Sequence, residues 1–269
     1  MFGSRSLLIV LAPLAVFAVG RQSEKPQVQP ASAVTPAASS MNEVASTPAP
    51  KPEALTSEQR GDIFMVRKMY REAVEMYRKM PETAVILNKI GIANHQMGDM
   101  SVAKRYYERA IKKNPKYPEA VNNLGTIYYA RKRYARAVKE YTRALELSPT
   151  SASMFSNLGT AHFARKEYKL AFEAYQKALH LDPEVFERQS TGAGQLLQDS
   201  SVEERAKFHY YLAKVYAQSG NIDKTLLYIR KSLEEGFKER KKYMEEPEFA
   251  GLKDNPEFQR LMTQEPRVL

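Results

Sequence analysis

The feature that most constrains the fold of this chain is a set of small, aromatic and proline residues that recur every 34 positions. A fixed period in this range predicts stacked units that bury a continuous core between neighbours. Such stacks present extended surfaces to other chains more often than they enclose a catalytic pocket. The recurring residues are Gly91, Gly125 and Gly159; Ala103, Ala137 and Ala171; Tyr107, Tyr141 and Tyr175; Ala110, Ala144 and Ala178; and Pro115, Pro149 and Pro183.

The spacing within one period, residues 118–151, predicts two antiparallel helices. A first helix is indicated by helical steps between Val121, Leu124, Gly125 and Tyr128, and a second by Ala137, Tyr141 and Ala144. Pro149 ends the second helix, because proline cannot sit in a helix interior. We expect Gly125 and Ala137 to let the two helices approach closely, and Tyr141 to fill the space left by Ala144.

These residues form the signature of the tetratricopeptide repeat, which segments 84–117, 118–151 and 152–185 resemble strongly. Counting each repeat from its first residue, position 4 is bulky (Leu87, Val121, Phe155) and so is position 7 (Ile90, Leu124, Leu158). A degenerate first repeat covers 54–83, so that residues 54–185 hold repeats one to four. A fifth repeat covers 206–239, with Thr225 and Ser232 where alanine is usual. The resemblance implies an all-α, right-handed superhelical solenoid of about five helix pairs.

Two further segments lie around the fifth repeat. Residues 186–205 interrupt the 34-residue register and are expected to form an insertion or loop. Residues 240–269 resemble the end-of-group segment that follows many bacterial tetratricopeptide arrays. Because a terminal repeat exposes an apolar face, we expect a short helical cap there that covers it with Phe249, Leu252, Phe258 and Leu261.

The N-terminus predicts export. Arg5 precedes the uncharged stretch Ser6–Gly20, which is typical of a signal peptide cleaved after residue 20. The alternative is an uncleaved signal anchor in the inner membrane, although this apolar stretch is short for a span of roughly 20 residues and contains Pro13. Residues 21–53 are rich in Pro, Ala and Ser and are expected to form a disordered linker. The expected location is therefore the periplasm or cell envelope of a bacterium.

No pattern in the chain indicates catalysis or a cofactor. The chain has no cysteine, and its four histidines fall in different repeats without metal-ligand spacing. His162 and His209 occupy core positions of their repeats, whereas His95 is a candidate groove residue. Phosphate-binding loops and nucleophile motifs are also missing from the sequence. We therefore expect a protein that is not an enzyme and binds no metal and no cofactor.

The net charge of +10 is concentrated most densely in repeat three. The cluster comprises Arg131, Lys132, Arg133, Arg136, Lys139 and Arg143, and the tetratricopeptide fold places it on the convex side. A solvated helix face explains it best, because Glu140 and Glu146 interleave with the cations and no nucleic-acid-binding motif accompanies them. Neither nucleic acid nor a membrane surface is expected as its partner.

The resemblance implies that first helices line a concave groove that holds partner proteins. The candidate groove residues are Asn88, Asn122, Asn123, Thr126, Tyr129, Asn157, Thr160, Phe163, Lys207, Tyr210 and Lys214. Asn123 and Asn157 share position 6, where family asparagines often bond the main chain of an extended peptide, since an amide both donates and accepts. The family's clamp for chaperone C-terminal carboxylates does not fit, because Asn122, Thr126 and Tyr211 break its pattern.

Two hypotheses follow for the function. The first is an adaptor that binds an extended peptide in the groove. The alternative is a structural subunit that packs into a complex or oligomer through its convex basic face.

Overall fold

The structure, a computed structural model, describes residues 55–187 and 201–263. The predicted signal segment 1–20, the linker 21–53 and most of segment 186–205 lie outside these residues. Within the described part every regular element is helical, which confirms the all-α prediction. The elements are α1 (Ser57–Val66), α2 (Tyr70–Arg78), α3 (Ala84–Gln96), α4 (Met100–Lys113), α5 (Pro118–Ala130), α6 (Tyr134–Leu147), α7 (Ala152–Ala164), α8 (Tyr168–Leu181), α9 (Val202–Gln218), α10 (Ile222–Glu234), α11 (Lys241–Glu245), a 3₁₀ helix (Pro247–Leu252) and α12 (Pro256–Thr263).

The helices pack as five consecutive antiparallel pairs, α1–α2 to α9–α10, and so form a solenoid. Across neighbouring pairs, α3 also contacts α5, and α5 contacts α7, more extensively than second helices contact one another. Since the elements that come closest together lie on the inside of a curved stack, the first helices line its concave surface. None of the described helices is long and apolar enough to cross a bilayer.

The recurring glycine makes room for the recurring tyrosine. A Cβ atom on Gly125 would lie 2.7 Å from Cε1 of Tyr141, and one on Gly91 would lie 2.5 Å from Cε1 of Tyr107. No real Cβ atom sits so close to another carbon, so only glycine fits beneath the ring. The expectation for Tyr141 was therefore wrong in its partner: the ring occupies space left by Gly125, whereas Ala144 packs in a separate cluster.

The fifth pair changes both members of this contact together. At the two equivalent positions it carries Ala213 and Ile229, each fully buried. Isoleucine is shorter than tyrosine, so the Cβ of an alanine can be accommodated opposite it. The glycine–tyrosine rule and its exception have one steric cause.

A residue in the left-handed region forms the turn inside each pair. The φ angles are 60° at Lys68, 85° at Gly98, 56° at Lys132, 63° at Lys166 and 77° at Gly220. Lys132 thus stands where the second pair has Gly98. A residue with a side chain pays about 1–2 kcal/mol for this conformation, so the lysine turns carry local strain that the glycine turns avoid.

The first helix of the fifth pair begins at Val202 rather than at residue 206. Ser201 caps it, because its side chain accepts a hydrogen bond from Glu204 N while Glu204 accepts one from Ser201 N at 3.0 Å. Such a reciprocal capping box satisfies donors that a helix start leaves unpaired. The helix therefore uses four residues that the repeat pattern alone assigned to the preceding segment.

The C-terminal segment covers the last repeat, as predicted. Phe249 and Phe258 are completely buried, and Leu252 and Leu261 are nearly so. Tyr243 donates a hydrogen bond from its hydroxyl to Ser232 Oγ at 2.8 Å, entirely within this packed region. Ser232 stands where alanine is usual, and its hydroxyl accepts this hydrogen bond from the C-terminal segment.

Candidate binding surface on the concave side

Two of the candidate groove residues, Thr126 and Thr160, fix the tyrosines of their own pairs. Tyr141 donates from its hydroxyl to Thr126 Oγ1 at 3.2 Å, and Tyr175 donates to Thr160 Oγ1 at 3.3 Å. Each threonine hydroxyl also donates to a main-chain carbonyl one helical turn earlier. These hydroxyls serve the packing of each helix pair.

The asparagine side chains bond one another across neighbouring pairs. Asn123 Nδ2 donates to Asn88 Oδ1 at 3.0 Å, Asn157 Nδ2 donates to Asn122 Oδ1 at 3.0 Å, and Asn122 Nδ2 lies 3.5 Å from Asn123 Oδ1. We call this set the amide ladder. It ties α3, α5 and α7 together along the inner surface. Its amides are partly occupied by each other, so the binding of a peptide backbone by Asn123 and Asn157 stays a prediction.

Lys89 continues the same pattern toward the N-terminus. It stands at position 6 of its repeat, and its ammonium donates to Asp62 at 2.7 Å and to Glu58 at 2.8 Å, both on α1. Burial lowers the pKa of Lys89, but the hydrogen bonds that its ammonium donates to Asp62 and Glu58 outweigh this effect, and the pKa is raised overall. Position 6 therefore contacts the preceding helix pair whether the residue there is an asparagine or a lysine.

Burial divides the candidate groove residues into two groups. The buried ones offer almost no surface to a partner, and they are Asn88, Tyr129, Thr160, Phe163 and Tyr210. The partly exposed ones are Asn122, Asn123, Thr126, Asn157, Lys207 and Lys214. Any direct contact with a partner must come from the second group or from neighbours that sequence reasoning left out.

Three of the four histidines pack between helices, whereas His180 is exposed. His162 and His209 each place Nδ1 2.7 Å from a carboxylate, that of Glu167 and Glu235 respectively. His95 was a candidate groove residue, but it is buried, with only 7% of its surface exposed. Burial lowers the pKa of His95 to about 4, so the ring is neutral at pH 7. Among the described residues there is no cluster of side chains that could hold a metal ion.

An aromatic and cationic surface lies where α8 meets α9. The rings of Tyr168 and Tyr211 stack with centroids 5.2 Å apart and planes inclined by 14°. The ammonium of Lys207 lies 5.1 Å from the centroid of Tyr168. All three residues are partly exposed. Tyr168 was not among the candidates because it belongs to a second helix, yet its ring reaches the inner surface.

The chain's own C-terminal segment occupies the adjoining part of the same surface. Lys214 Nζ lies 2.5 Å from Glu246 and 3.3 Å from Glu248, which flank the start of the 3₁₀ helix. Phe249 packs near Tyr210 and Tyr243, with centroids 6.2 and 5.1 Å away. The inner surface of α9 therefore already holds a segment that combines carboxylates with an aromatic side chain.

The basic cluster of repeat three is exposed apart from the half-buried Arg143, and it is divided between two places. Arg131, Lys132 and Arg133 form the turn between α5 and α6, at the edge of the solenoid, whereas Arg136 and Lys139 lie on α6. A shallow depression there is lined by Lys132, Arg133, Tyr134, Ala135, Arg136 and Arg165.

Three solved structures illustrate how similar this fold is to known proteins. A crystal structure of MamA is 20% identical, covers 65% of this chain and 93% of its own, and has a TM-score of 0.45. YrrB, described as a TPR protein with an unusual peptide-binding site, is 22% identical over 48% of this chain and 69% of its own, with a TM-score of 0.43. The APC/C hetero-tetramer Cut9–Hcn1 is 17% identical over 76% of this chain and 35% of its own, with a TM-score of 0.48.

Family models identify the repeats in part of the chain. No curated protein matched the chain. Two models described as tetratricopeptide repeat match it, over residues 88–152 and 152–185. These residues span α4 to α8 and most of α3, in which the glycine–tyrosine contact and the helix pairing recur. Residues 88–185 of the chain are therefore tetratricopeptide repeats.

Proposed function

We propose that this protein is a non-enzymatic adaptor whose concave surface holds a segment of a partner protein. The tetratricopeptide repeats at residues 88–185 support a role in protein–protein interaction. The observation that carries the finer proposal is the seating of Glu246, Glu248 and Phe249 on the inner surface of α9. A surface that holds one such segment of its own chain has the chemistry to hold another beside it.

The proposal places the protein in the bacterial cell envelope. Its support is the sequence pattern of Arg5 followed by Ser6–Gly20. The mass of the protein isolated from its native host tests this. A mature chain that starts near Arg21 supports export with cleavage, and an intact N-terminus in the membrane fraction supports the anchored alternative.

A second candidate function is packing into an oligomer or larger complex through the exposed basic cluster of repeat three. The observation that favours it is the depression between two neighbouring turns, where Lys132, Arg133, Arg136 and Arg165 come together. Four cations line this depression, so an acidic surface docked there would meet charges of the opposite sign.

Capture of partners from envelope extracts, followed by mass spectrometry, separates the two candidates. Tyr211→Ser alters the concave surface, and Arg136→Glu with Lys139→Glu alters the outer one. The adaptor proposal predicts that Tyr211→Ser weakens capture of the same partners and that the charge reversal does not. The opposite result would establish the outer surface instead. Far-UV circular dichroism and a melting curve verify that each variant is folded.

A further inference from the structure

Two lysines on one face of α9 each lie over an aromatic ring of α8. Lys207 and Lys214 are separated by two helical turns and so project in nearly the same direction. Lys207 lies 5.1 Å from the ring of Tyr168, and Lys214 lies 5.3 Å from the ring of Phe172. Tyr168 and Phe172 are themselves one turn apart on α8. The interface of α8 with α9 thus presents one arrangement twice, an ammonium group over an aromatic ring.

The two copies differ in what the ammonium binds. Lys214 is paired with Glu246 and Glu248 of the C-terminal segment. Lys207 has no carboxylate within ion-pair distance in residues 55–187 and 201–263. A lysine held against an aromatic ring is partly shielded from water, which strengthens its attraction for an anion compared with a fully solvated lysine. The site at Lys207 and Tyr168 is therefore suited to a carboxylate from another protein.

We propose that Lys207, Tyr168 and Tyr211 bind an acidic segment of the partner protein. A glutamate or aspartate carboxylate contacts Lys207, and an apolar or aromatic side chain beside it packs on the stacked rings of Tyr168 and Tyr211. The segment continues along α9 from the point where the chain's own Glu246 and Glu248 end. This inference rests on the proposed function, because it names the chemistry of what the concave surface holds.

The overall charge of the protein supports an acidic partner. The formal net charge is +10, and a net positive field attracts anionic segments before contact. The preference for a carboxylate follows from the chain itself, whose own segment places two glutamates on the equivalent lysine.

A peptide probe tests the inference directly. The chain has no tryptophan, so a peptide that carries one is the sole source of indole fluorescence in the mixture. The probe has the sequence of residues 245–252 with tryptophan in place of phenylalanine, Glu-Glu-Pro-Glu-Trp-Ala-Gly-Leu. A second peptide has glutamine in place of each glutamate. The full chain is titrated into each peptide at low and high salt.

We expect the acidic peptide to bind about tenfold more tightly than the glutamine peptide, with an affinity that falls as salt rises. Lys207→Gln should lower the affinity for the acidic peptide about tenfold and leave that for the glutamine peptide unchanged. The matched control is Lys177→Gln, because Lys177 also lies over a ring, that of Phe155 at 5.6 Å, but on the opposite side of α8. It should change neither affinity.

Three results would overturn the inference: equal affinity for the two peptides, no binding of either at millimolar concentration, or an unchanged affinity in Lys207→Gln. The adaptor proposal has its own readout, the capture of partners by Tyr211→Ser. If capture depends on Tyr211 while the acidic peptide ignores Lys207, the concave surface binds partners by a different chemistry.

Discussion

Gly125→Ala adds a single methyl group at the closest contact between α5 and α6. The new Cβ would lie 2.7 Å from Cε1 and 2.8 Å from Cδ1 of Tyr141. The ring cannot simply move aside, since Tyr141 is only 2% exposed and its hydroxyl is bonded to Thr126. The helices must separate or the tyrosine must leave its position.

The magnitude follows from three contributions. Overpacking a filled core costs about 1–3 kcal/mol, and loss of the Tyr141–Thr126 hydrogen bond costs about 0.5–1.5 kcal/mol. Alanine offsets about 1 kcal/mol through its higher helix propensity. We therefore expect Gly125→Ala to lower the free energy of unfolding by about 0.5–3.5 kcal/mol in urea titrations followed by circular dichroism. Gly251→Ala is the control: nothing lies within 4 Å of its added Cβ, so it should stay within about 0.5 kcal/mol.

The fifth pair supplies the rescue, because it combines Ala213 with Ile229 at the equivalent positions. Tyr141→Ile alone is destabilising, since it removes a buried ring. Combined with Gly125→Ala it should cost about 1–2 kcal/mol less than the sum of the two single changes. Strict additivity of the two changes would refute the steric explanation of the glycine–tyrosine pairs.

Three further predictions concern stability. His95→Phe should reduce the pH dependence of stability. The folded pKa of His95, about 4, lies below the unfolded value near 6.5, so this residue destabilises the wild type as pH falls from 6.5 toward 4, by about 2 kcal/mol at pH 5. Urea titrations at pH 7 and pH 5 should show a loss of stability that is larger by about that amount in the wild type than in the variant, and equal losses would contradict the buried neutral ring. Asn123→Ala with Asn157→Ala should lower the free energy of unfolding by about 1–3 kcal/mol, because two inter-repeat hydrogen bonds are lost; unchanged stability would mean that the amide ladder contributes nothing. Lys132→Gly should raise the melting temperature by relieving a left-handed φ, whereas Lys139→Gly in the middle of α6 should lower it through a cost of about 1 kcal/mol; a decrease in both would contradict the strain at Lys132.

The sequence predicted the helix pairs because the period repeats the steric requirement of one contact. The glycine and tyrosine at the positions of Gly125 and Tyr141 mark that contact in each repeat where they occur. The burial of Phe249 and Phe258 could be predicted because the last pair has an apolar face that must be covered. The joint replacement of glycine and tyrosine by Ala213 and Ile229 in the fifth repeat is visible in the sequence. Its explanation requires the knowledge that the tyrosine ring packs on the glycine, which spacing alone does not reveal.

The inner surface was harder to predict than the fold. The amide ladder had a signal, since Asn88 and Asn123, like Asn122 and Asn157, are 35 residues apart. That spacing joins position 5 of one repeat to position 6 of the next. Reading each repeat separately put these amides in an open groove, whereas neighbouring pairs bring them into contact. Burial of Tyr129 and Phe163 likewise depends on the packing of adjacent pairs.

The surface around Lys207 could not be found from repeat positions. Tyr168 is contributed by a second helix, and the carboxylates on Lys214 come from a segment outside the repeats. Both contacts depend on how α8 and the C-terminal segment lie against α9. Such long-range packing has no periodic signature in the sequence.

The proposed use of the concave surface is tested most directly by photo-cross-linking. A benzophenone side chain replaces Tyr211 on the concave surface in one variant and Lys139 on the outer surface in another. Each is irradiated with partners captured from the envelope, in the presence and absence of excess acidic peptide. The proposal predicts partner adducts from position 211 that the peptide suppresses, and none from position 139. Adducts from position 139 alone, unaffected by the peptide, would contradict it.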